Sequence, residues 1–343
     1  MGGRPRTSVG ARLPRAARAL LALVLAAIGC SSPAGPSPVA GHLHVTVLVR
    51  DTVGHNAVAG VEVQLQEAVV FGVQPWTASA RTGSDGQFTL DNVPSGTIFA
   101  VLQKPGFLAR ETGIGVSQSG SVTIDMIADL APFSLDFYRQ FARNGFEQPA
   151  KLSELRRWSV SPKFLIQTVT ADTGVVVSPA IVTAAARVIT NSVPELTGGL
   201  YHAEIVTSAI APAQTTGWFY VRFYSDASVF ANGLDGSLTK ADSSVGGDAG
   251  LIRLLYAPDL DQQGLYNPQH CESLTIDALD HEIVHAMGFY HTSHTASDFH
   301  SGVGCPGNGR PDIVRFHAML AYQRPHGNQD IDSEKSAFYT VGQ

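Results

Sequence analysis

One short segment of this chain combines the residue types and the spacing needed to hold a metal ion. Residues 281–291 read HEIVHAMGFYH, an HExxHxxGxxH string. On a helix, positions i and i+4 lie one turn apart on the same face, so His281 and His285 can offer two imidazole nitrogens to one ion. Gly288 permits the left-handed turn that ends the helix and brings His291 back as third ligand. Three protein ligands and an open fourth position are typical of catalytic zinc.

Glu282 supplies the second half of this chemistry. It follows the first ligand, where a carboxylate can accept a proton from a water activated by the metal without being a ligand itself. We therefore expect hydrolysis with Zn²⁺ as cofactor and Glu282 as general base. Three other histidines near this segment, His294, His300 and His317, could each replace His291 as ligand. Only His291 has the spacing of the string.

At these residues the chain resembles the metzincin metalloproteases, which share this zinc string and a later methionine-containing turn beneath the site. Met319 is the only methionine after the string, so the resemblance implies that it is the Met-turn residue. Without the zinc string, a single methionine in an apolar run would be interpreted as a residue that fills space in the core. Some metzincins carry a tyrosine that swings toward the metal, which implies a role for Tyr322 in stabilising the oxyanion. Thr292 fits no named subgroup, so the resemblance is to a bacterial, matrixin-like metzincin.

This resemblance implies a zinc-dependent endopeptidase with one catalytic ion and protein or peptide substrates. Two alternatives stay open. The chain could be a zinc amidase acting on a non-protein substrate such as a peptidoglycan crosslink. It could also be a non-catalytic surface lipoprotein that binds a protein or polymer, but inactive relatives commonly lose the general base or a ligand, and here all four residues are present.

The N-terminus predicts export and a lipid anchor. Five arginines precede the apolar run 19–28, and Gly29-Cys30 follows this run directly. The run is too short to span a bilayer and is typical of a signal peptide. The small residue before Cys30 resembles a lipobox, so we expect lipidation of Cys30, with ordinary cleavage nearby as the alternative. We expect anchoring to the bacterial envelope, at the outer membrane or cell surface.

Charge and cysteine content limit the partners and the compartment. Without residues 1–29 the chain has 18 basic and 29 acidic residues, a net charge of −11. This excess of acidic residues argues against nucleic acid as a partner, and we expect a monomer. Cys271 and Cys305 bracket the zinc string, and in an exported chain they can form a disulfide. Two free thiols, or a cysteine that ligates zinc, are the alternatives.

The chain length predicts two domains after the leader. We place the signal peptide at 1–29, a flexible tether at 30–40, an all-β sandwich at 41–130 and an α+β catalytic domain at 131–343. In the first domain, short alternating runs separated by turn residues predict an antiparallel β-sandwich. The predicted strands are His44 to Val49, Val61 to Leu65, Gln87 to Leu90, Ile98 to Leu102 and Val122 to Met126. Three segments, AGVEV at 59–63, TGSDGQF at 82–88 and VPSG at 93–96, together resemble carboxypeptidase regulatory-like domains, a transthyretin-like sandwich. This resemblance implies a spacer, a stabiliser or a binding module.

The second domain reads as mixed α and β. The pattern predicts a helix near Leu135 to Asn144 and another that begins after Ser178 and continues to about Ile189. Strands are predicted at Phe164 to Thr168, Gly217 to Phe223 and Gly250 to Leu255. The resemblance implies that one strand, Gly250 to Tyr256, forms the upper rim of the cleft and pairs with substrate through a free edge. A buried strand without a free edge is the alternative.

A loop rich in Gly, Ser and Asp precedes the zinc string, from Asn232 to Ala249. Its carboxylates at Asp235, Asp242 and Asp248 could bind Ca²⁺, as loops do in related enzymes. Their spacing matches no calcium template such as the EF-hand, so a solvated acidic loop is favoured.

Overall fold

The computed structural model describes residues 43–68, 74–210, 217–230, 241–243, 250–256, 274–293, 310–329, 331 and 333–342. Within them lie thirteen strands in three sheets and four α-helices. The chain is therefore a β-rich protein with several sheets. Its hydrophobic residues form two clusters, one drawn from residues 45–126 together with Val341 and one from residues 127–331.

The first cluster lies between two sheets whose strands alternate buried and accessible residues, as in Val45, Val47 and Val49 of β1. The strands are β1 (Leu43–Asp51), β2 (Glu62–Glu67), β3 (Thr77–Arg81), β4 (Gln87–Val93), β5 (Gly96–Gln103), β6 (Arg110–Val116), β7 (Gly120–Met126) and β13 (Ser333–Thr340). They form a sheet of order β4-β1-β7 and a sheet of order β13-β6-β5-β2-β3. The five strands predicted from the sequence are confirmed.

Two features of this sandwich differ from the prediction. The sandwich is not fully antiparallel, because β1 pairs with β7 and β13 pairs with β6 in the parallel sense. The predicted boundaries place the last strand of the chain, β13, in the second domain, but it extends a sheet of the first. Strands β3 and β6 are absent from the prediction. Strand β3 contains no large apolar residue, since Trp76 lies just before it, and β6 contains two glycines.

The third sheet belongs to the second cluster. It contains β8 (Lys163–Gln167), β9 (Glu204–Ser208), β10 (Trp218–Tyr224), β11 (Ala241–Ser243) and β12 (Gly250–Leu255), in the order β11-β12-β10-β8-β9. Pairing is parallel except between β11 and β12. The nearly continuous burial of β8 and β10 is typical of parallel strands covered on both faces. The strands predicted for β8, β10 and β12 are confirmed.

The predicted free edge at Gly250 to Tyr256 is wrong. Strand β12 pairs with β10 on one side and, at Ile252 to Leu254, with β11 on the other. The three-residue strand β11 is therefore the outer strand at this end of the sheet as described. It lies in a segment rich in Gly, Ser and Asp, whose composition carries no strand signal.

The helices are α1 (Leu135–Arg143), α2 (Pro179–Leu196), α3 (Leu274–Ala286) and α4 (Asp312–Tyr322). The first two confirm the prediction, although α2 continues past Ile189 to Leu196. Ser134 and Ser178 cap them by accepting hydrogen bonds from backbone N–H groups of their first turns. Helix α3 carries the zinc string and packs against α2 and β12.

None of the helices in the described residues is both long enough and apolar enough to cross a membrane.

Candidate metal centre

Helix α3 and the turn after it bring three imidazoles to one point. Nε2 of His291 lies 3.3 Å from Nε2 of His281 and 3.2 Å from Nε2 of His285. One nitrogen from each of the three rings lies within 4.8 Å of the other two. Zinc–imidazole bonds of about 2.0–2.1 Å in a regular tetrahedron would separate the nitrogens by about 3.3–3.4 Å. The cluster therefore fits a single metal ion, and it is the only such group among the residues described.

The far sides of two rings are held by acceptors. Nδ1 of His285 lies 2.8 Å from the carbonyl oxygen of Phe289, and Nδ1 of His291 lies 2.8 Å from Oε1 of Glu147. A proton on Nδ1 leaves the lone pair on Nε2, the nitrogen at the centre of the cluster. Acceptors on the second ring nitrogen commonly fix the tautomer and orientation of metal-binding histidines.

Burial keeps His285 neutral. His285 is 8% exposed, and burial lowers its pKa from 6.5 to about 4, with the nearby His291 contributing in the same direction. The hydrogen bond to Phe289 opposes this shift without cancelling it. His285 is therefore in the neutral form at neutral pH, which is the form that binds metal.

Gly288 makes the turn between the second and third ligands. Its φ of +103° lies in the region that favours glycine. A Cβ at this position would lie 2.0 Å from the carbonyl oxygen of Arg156, far inside any contact distance. The glycine of the string is thus required for two reasons, its backbone conformation and the close approach of the segment before β8.

The backbone carbonyls at the end of α3 receive buried side-chain donors. Nε1 of Trp158 donates to the carbonyl of Ala286 at 2.9 Å, and the hydroxyl of Tyr322 donates to the carbonyl of Met287 at 2.8 Å. These bonds satisfy groups that a helix end leaves without partners. They also fix the position from which the chain turns toward His291.

Tyr322 therefore has a structural environment rather than the one expected for a catalytic residue. Its side chain is 3% exposed, burial raises its pKa, and the backbone of Trp158 donates a hydrogen bond to it. The hydroxyl thus both accepts and donates within the core. The expectation that Tyr322 assists at the oxyanion is not supported by this geometry.

Helix α3 also carries a buried ion pair next to the first histidine. Asp280 precedes the first ligand, and its carboxylate accepts from both terminal nitrogens of Arg310, at 2.5 and 3.4 Å. Arg310 also donates to Ser192 of α2, and its backbone N–H donates to Glu195. The arginine, buried with the aspartate, thereby joins α2, α3 and the start of the segment that leads into α4.

Met319 differs from its predicted role, and His317 lies away from the histidine cluster, as the spacing of the string predicts. Met319 lies inside helix α4, not in a turn, and its side chain packs against Gly198, where a Cβ would be 2.8 Å from the methionine Cγ. His317 is not a third ligand, because its Nδ1 faces the carbonyl of Ile313 and its Nε2 contacts the backbone of Ser134. It packs among aromatic rings and connects α4 to the start of α1.

Several predicted site residues lie outside the described residues. These are Cys30, Cys271, Cys305, His294, His300, Asp235 and Asp248. The backbone of Asp242 pairs with Arg253 between β11 and β12. The lipidation, disulfide and calcium expectations therefore stay predictions. Glu282 is described, and it is 6% exposed within the string.

Sequence reasoning missed Glu147, Asp280 and Arg310. Glu147 lies 144 residues from the histidine it contacts and belongs to no motif. Asp280 directly precedes the string, but its partner follows the string by many residues, so only the fold brings the two together.

Comparisons with known proteins add little about function. No protein-family model matches the chain, and no curated protein is significantly similar to it. Among solved structures, wild-type catechol 1,2-dioxygenase from Acinetobacter radioresistens has 10% identity and a TM-score of 0.23, with 27% of this chain and 53% of that chain covered. The pilus 2b backbone protein of group B streptococcus has 16% identity and a TM-score of 0.22, with 25% and 40% covered.

Catechol 1,2-dioxygenase from Pseudomonas arvilla is similar to a comparable degree, with 12% identity, a TM-score of 0.23 and 29% and 55% covered. This chain thus spans about half the length of the dioxygenases it matches. Similarity of this extent is too weak to support an inference about activity.

Proposed function

We propose that this chain is a zinc-dependent endopeptidase of the metzincin type. The observation that carries the proposal is the convergence of His281, His285 and His291 on one point, with Glu282 next to the first of them on the same helix. These residues come from a sequence string whose spacing already predicts this chemistry.

Zinc is the metal we expect at the three histidines. Neutral imidazoles suit zinc, copper, iron and nickel better than calcium or magnesium. Three protein ligands are typical of a catalytic zinc site, whereas structural zinc takes four. The tetrahedral spacing of the nitrogens and the acceptors on the far sides of His285 and His291 support this choice.

The reaction we propose is hydrolysis of a peptide bond. A bound zinc ion would lower the pKa of a water toward about 7 and polarise the scissile carbonyl. Glu282 takes the proton of the attacking water and then delivers it to the leaving amine. His281, His285 and His291 hold the ion, and the contacts around Gly288 and Trp158 keep the third ligand in place relative to the first two.

The sheet beside α3 supports a peptide as substrate. An extended peptide can add to the edge of a sheet through backbone hydrogen bonds. Because β12 is paired on both sides, the strand that would receive the peptide is β11, the outer strand of the sheet as described. The order of helix, strands and zinc helix also agrees with the metzincin resemblance.

Location and the role of the first domain are part of the same proposal. We propose an exported protein, anchored through lipidated Cys30 to the bacterial envelope, whose catalytic half acts on proteins or peptides there. The sandwich, by its resemblance to carboxypeptidase regulatory-like domains, would serve as a spacer or binding module.

The proposal is tested by removing and restoring the metal. We expect the purified chain to cleave members of a quenched peptide library, to lose this activity with a zinc chelator and to regain it with one equivalent of Zn²⁺ but not Mg²⁺. Peptidoglycan fragments are assayed in parallel. Cleavage of these fragments alone would favour the amidase, and zinc bound without any hydrolysis would contradict an enzymatic function.

A further inference from the structure

We propose that Glu147 is a positioning residue of the metal centre, which orients His291 for the ion. The carboxylate lies in the turn after α1, and its Oε1 is 2.8 Å from Nδ1 of His291. By accepting a hydrogen bond from the Nδ1–H group, it keeps the proton on Nδ1 and leaves the lone pair of Nε2 for the ion. The link to peptide hydrolysis rests on the proposed function, whereas the effect on metal binding requires only the histidine cluster.

The end of α1 places Glu147 at this position. Asn144 is a left-handed C-cap, with φ of 56°, whose N–H donates to the carbonyl of Arg139. Gly145 donates to the same carbonyl at 2.9 Å, and a Cβ on Gly145 would lie 2.9 Å from that oxygen. Gln148 then donates to the carbonyl of Asn144 at 2.9 Å. This hydrogen-bonded turn fixes the backbone on both sides of Glu147.

Helix α1 also holds the backbone on both sides of His291. The ring of Phe141 stacks on Phe289 with centroids 4.3 Å apart, and the N–H of Tyr290 donates to the carbonyl of Phe141 at 2.7 Å. Beyond the ligand, the N–H of Ser293 donates to Oε1 of Gln140 at 2.6 Å. These contacts set the position of the backbone around His291, and Glu147 sets the orientation of the imidazole ring.

The third ligand differs from the second in what fixes it. His285 is buried, and its Nδ1 bonds to a backbone carbonyl of the following turn. The side chain of His291 is 46% exposed, so packing restrains its ring less, and the acceptor on its Nδ1 is a side chain from another element. A carboxylate there also places a negative charge near the ion. Paired carboxylate and histidine groups of this kind strengthen metal binding.

A purely structural role for Glu147 makes a different prediction. The carboxylate is 47% exposed, and exposed ion pairs contribute little to the stability of a fold. If the Glu147–His291 pair were only a surface ion pair with no effect on the orientation of His291, its loss would leave metal binding unchanged. If Glu147 positions His291, its loss weakens metal binding while the metal-free protein unfolds as before.

The test compares zinc affinity, by competition with a chelating dye, in the purified chain and in Glu147→Ala, Glu147→Gln and Glu204→Gln. Glu204 of β9 is the matched control, because it is a half-exposed carboxylate that pairs with Lys163 of β8. We expect Glu147→Ala to lose about 10–100-fold in affinity. Glu147→Gln should lose less, because its amide oxygen can still accept from Nδ1, and the control should match the parent.

Two further readouts separate positioning from folding. The visible spectrum of the Co²⁺-loaded protein reports ligand geometry and should change in Glu147→Ala but not in Glu204→Gln. Urea unfolding of the metal-free proteins should be the same for both variants. Parent-like affinity in Glu147→Ala, or an equal loss in the control, would overturn the proposal.

The outcomes also distinguish this inference from the proposed function. If the parent binds no zinc, both fail. If zinc affinity falls as expected but neither the parent nor any variant cleaves peptides, the endopeptidase assignment fails and the role of Glu147 in the metal centre stands.

Discussion

At the residue scale, the position of His291, the proposed third ligand, depends on a glycine. Gly288 adopts φ of +103° while the carbonyl of Arg156 approaches to a distance that excludes any side chain. The same turn places the carbonyls of Ala286 and Met287 against donors from Trp158 and Tyr322. One position therefore determines both how α3 ends and where His291 lies.

We predict that Gly288→Ala lowers the free energy of unfolding by about 2–5 kcal/mol, because positive φ costs about 1–2 kcal/mol and steric overlap adds about 1–3 kcal/mol. Urea denaturation measures this loss. Gly199→Ala is the control, since Gly199 has φ of +82° and no atom lies within 4 Å of the point that its Cβ would occupy. Gly199→Ala should therefore lose only the part of the free energy of unfolding that comes from positive φ. Equal losses in the two variants would show that the Arg156 contact is unimportant.

The residues of the string could be predicted because their chemistry is encoded in local spacing. Helical periodicity alone places His281 and His285 together, and the glycine returns His291. The roles expected of Met319 and Tyr322 rest on resemblance and on position along the chain, which do not determine the direction of a side chain. Helix α4 packs Met319 against Gly198 and directs Tyr322 into the core.

At the scale of elements, α3 is held between a sheet and a buried ion pair. Thr275 near its start donates to the carbonyl of Leu255 at the end of β12. Asp280 in its middle binds Arg310, which also contacts α2. The helix that carries His281 and His285, two of the proposed ligands, is thus fixed by contacts that do not involve a metal.

We expect Arg310→Met to lower the free energy of unfolding of the metal-free protein by about 3–5 kcal/mol, because it leaves a buried carboxylate without its cation. The double variant Arg310→Met/Asp280→Leu should lose less than the single variant. As a control, Lys163→Met removes an exposed ion pair to Glu204 and should cost less than about 1 kcal/mol. A similar cost for the two single variants would refute this account of the pair.

Strands and helices with clear periodicity were predictable, whereas short or polar strands such as β3 and β11 were not. Strands β8 and β10 have nearly continuous apolar runs, and β12 alternates buried apolar residues with more accessible ones. The outer strand β11 has three residues in a polar segment, and its pairing depends on β12 rather than on its own sequence. That is why the resemblance places the free edge on β12, whereas β11 is the outer strand of the sheet as described.

At the scale of the whole molecule, the C-terminus returns to the first domain. Strand β13 extends the sheet of β6, and Val341 enters the hydrophobic cluster of the sandwich. The hydroxyl of Tyr339 accepts from Arg110 and from the backbone N–H of Asp125. The chain therefore passes between the two hydrophobic clusters twice, after Met126 and again after Ile331.

We predict that a chain ending at Asp332 has a sandwich less stable by about 2 kcal/mol or more, because the burial of Val341 alone contributes about 1.5–3 kcal/mol. Urea denaturation and limited proteolysis of residues 43–126 would detect the change. Removal of Gln343 alone is the control and should have no effect. Unchanged unfolding in the shorter chain would mean that β13 is dispensable to the sandwich.

This long-range pairing could not be predicted from the sequence. Domain boundaries drawn from changes in composition along the chain contain no information about a strand that pairs with one more than 200 residues earlier. The same limit applies to Glu147 and His291, whose contact depends on the packing of α1 against the segment after α3 rather than on any local pattern.

The most direct test of the central claim is to replace Glu282 by Gln and measure zinc content and peptide cleavage on the same sample. We predict one zinc ion per chain in both the parent and the variant, because Glu282 is not a ligand, and a loss of at least about 100-fold in kcat for the variant, because it lacks the general base. Cleavage by Glu282→Gln at nearly the rate of the parent, with zinc bound in both, would contradict the proposed mechanism.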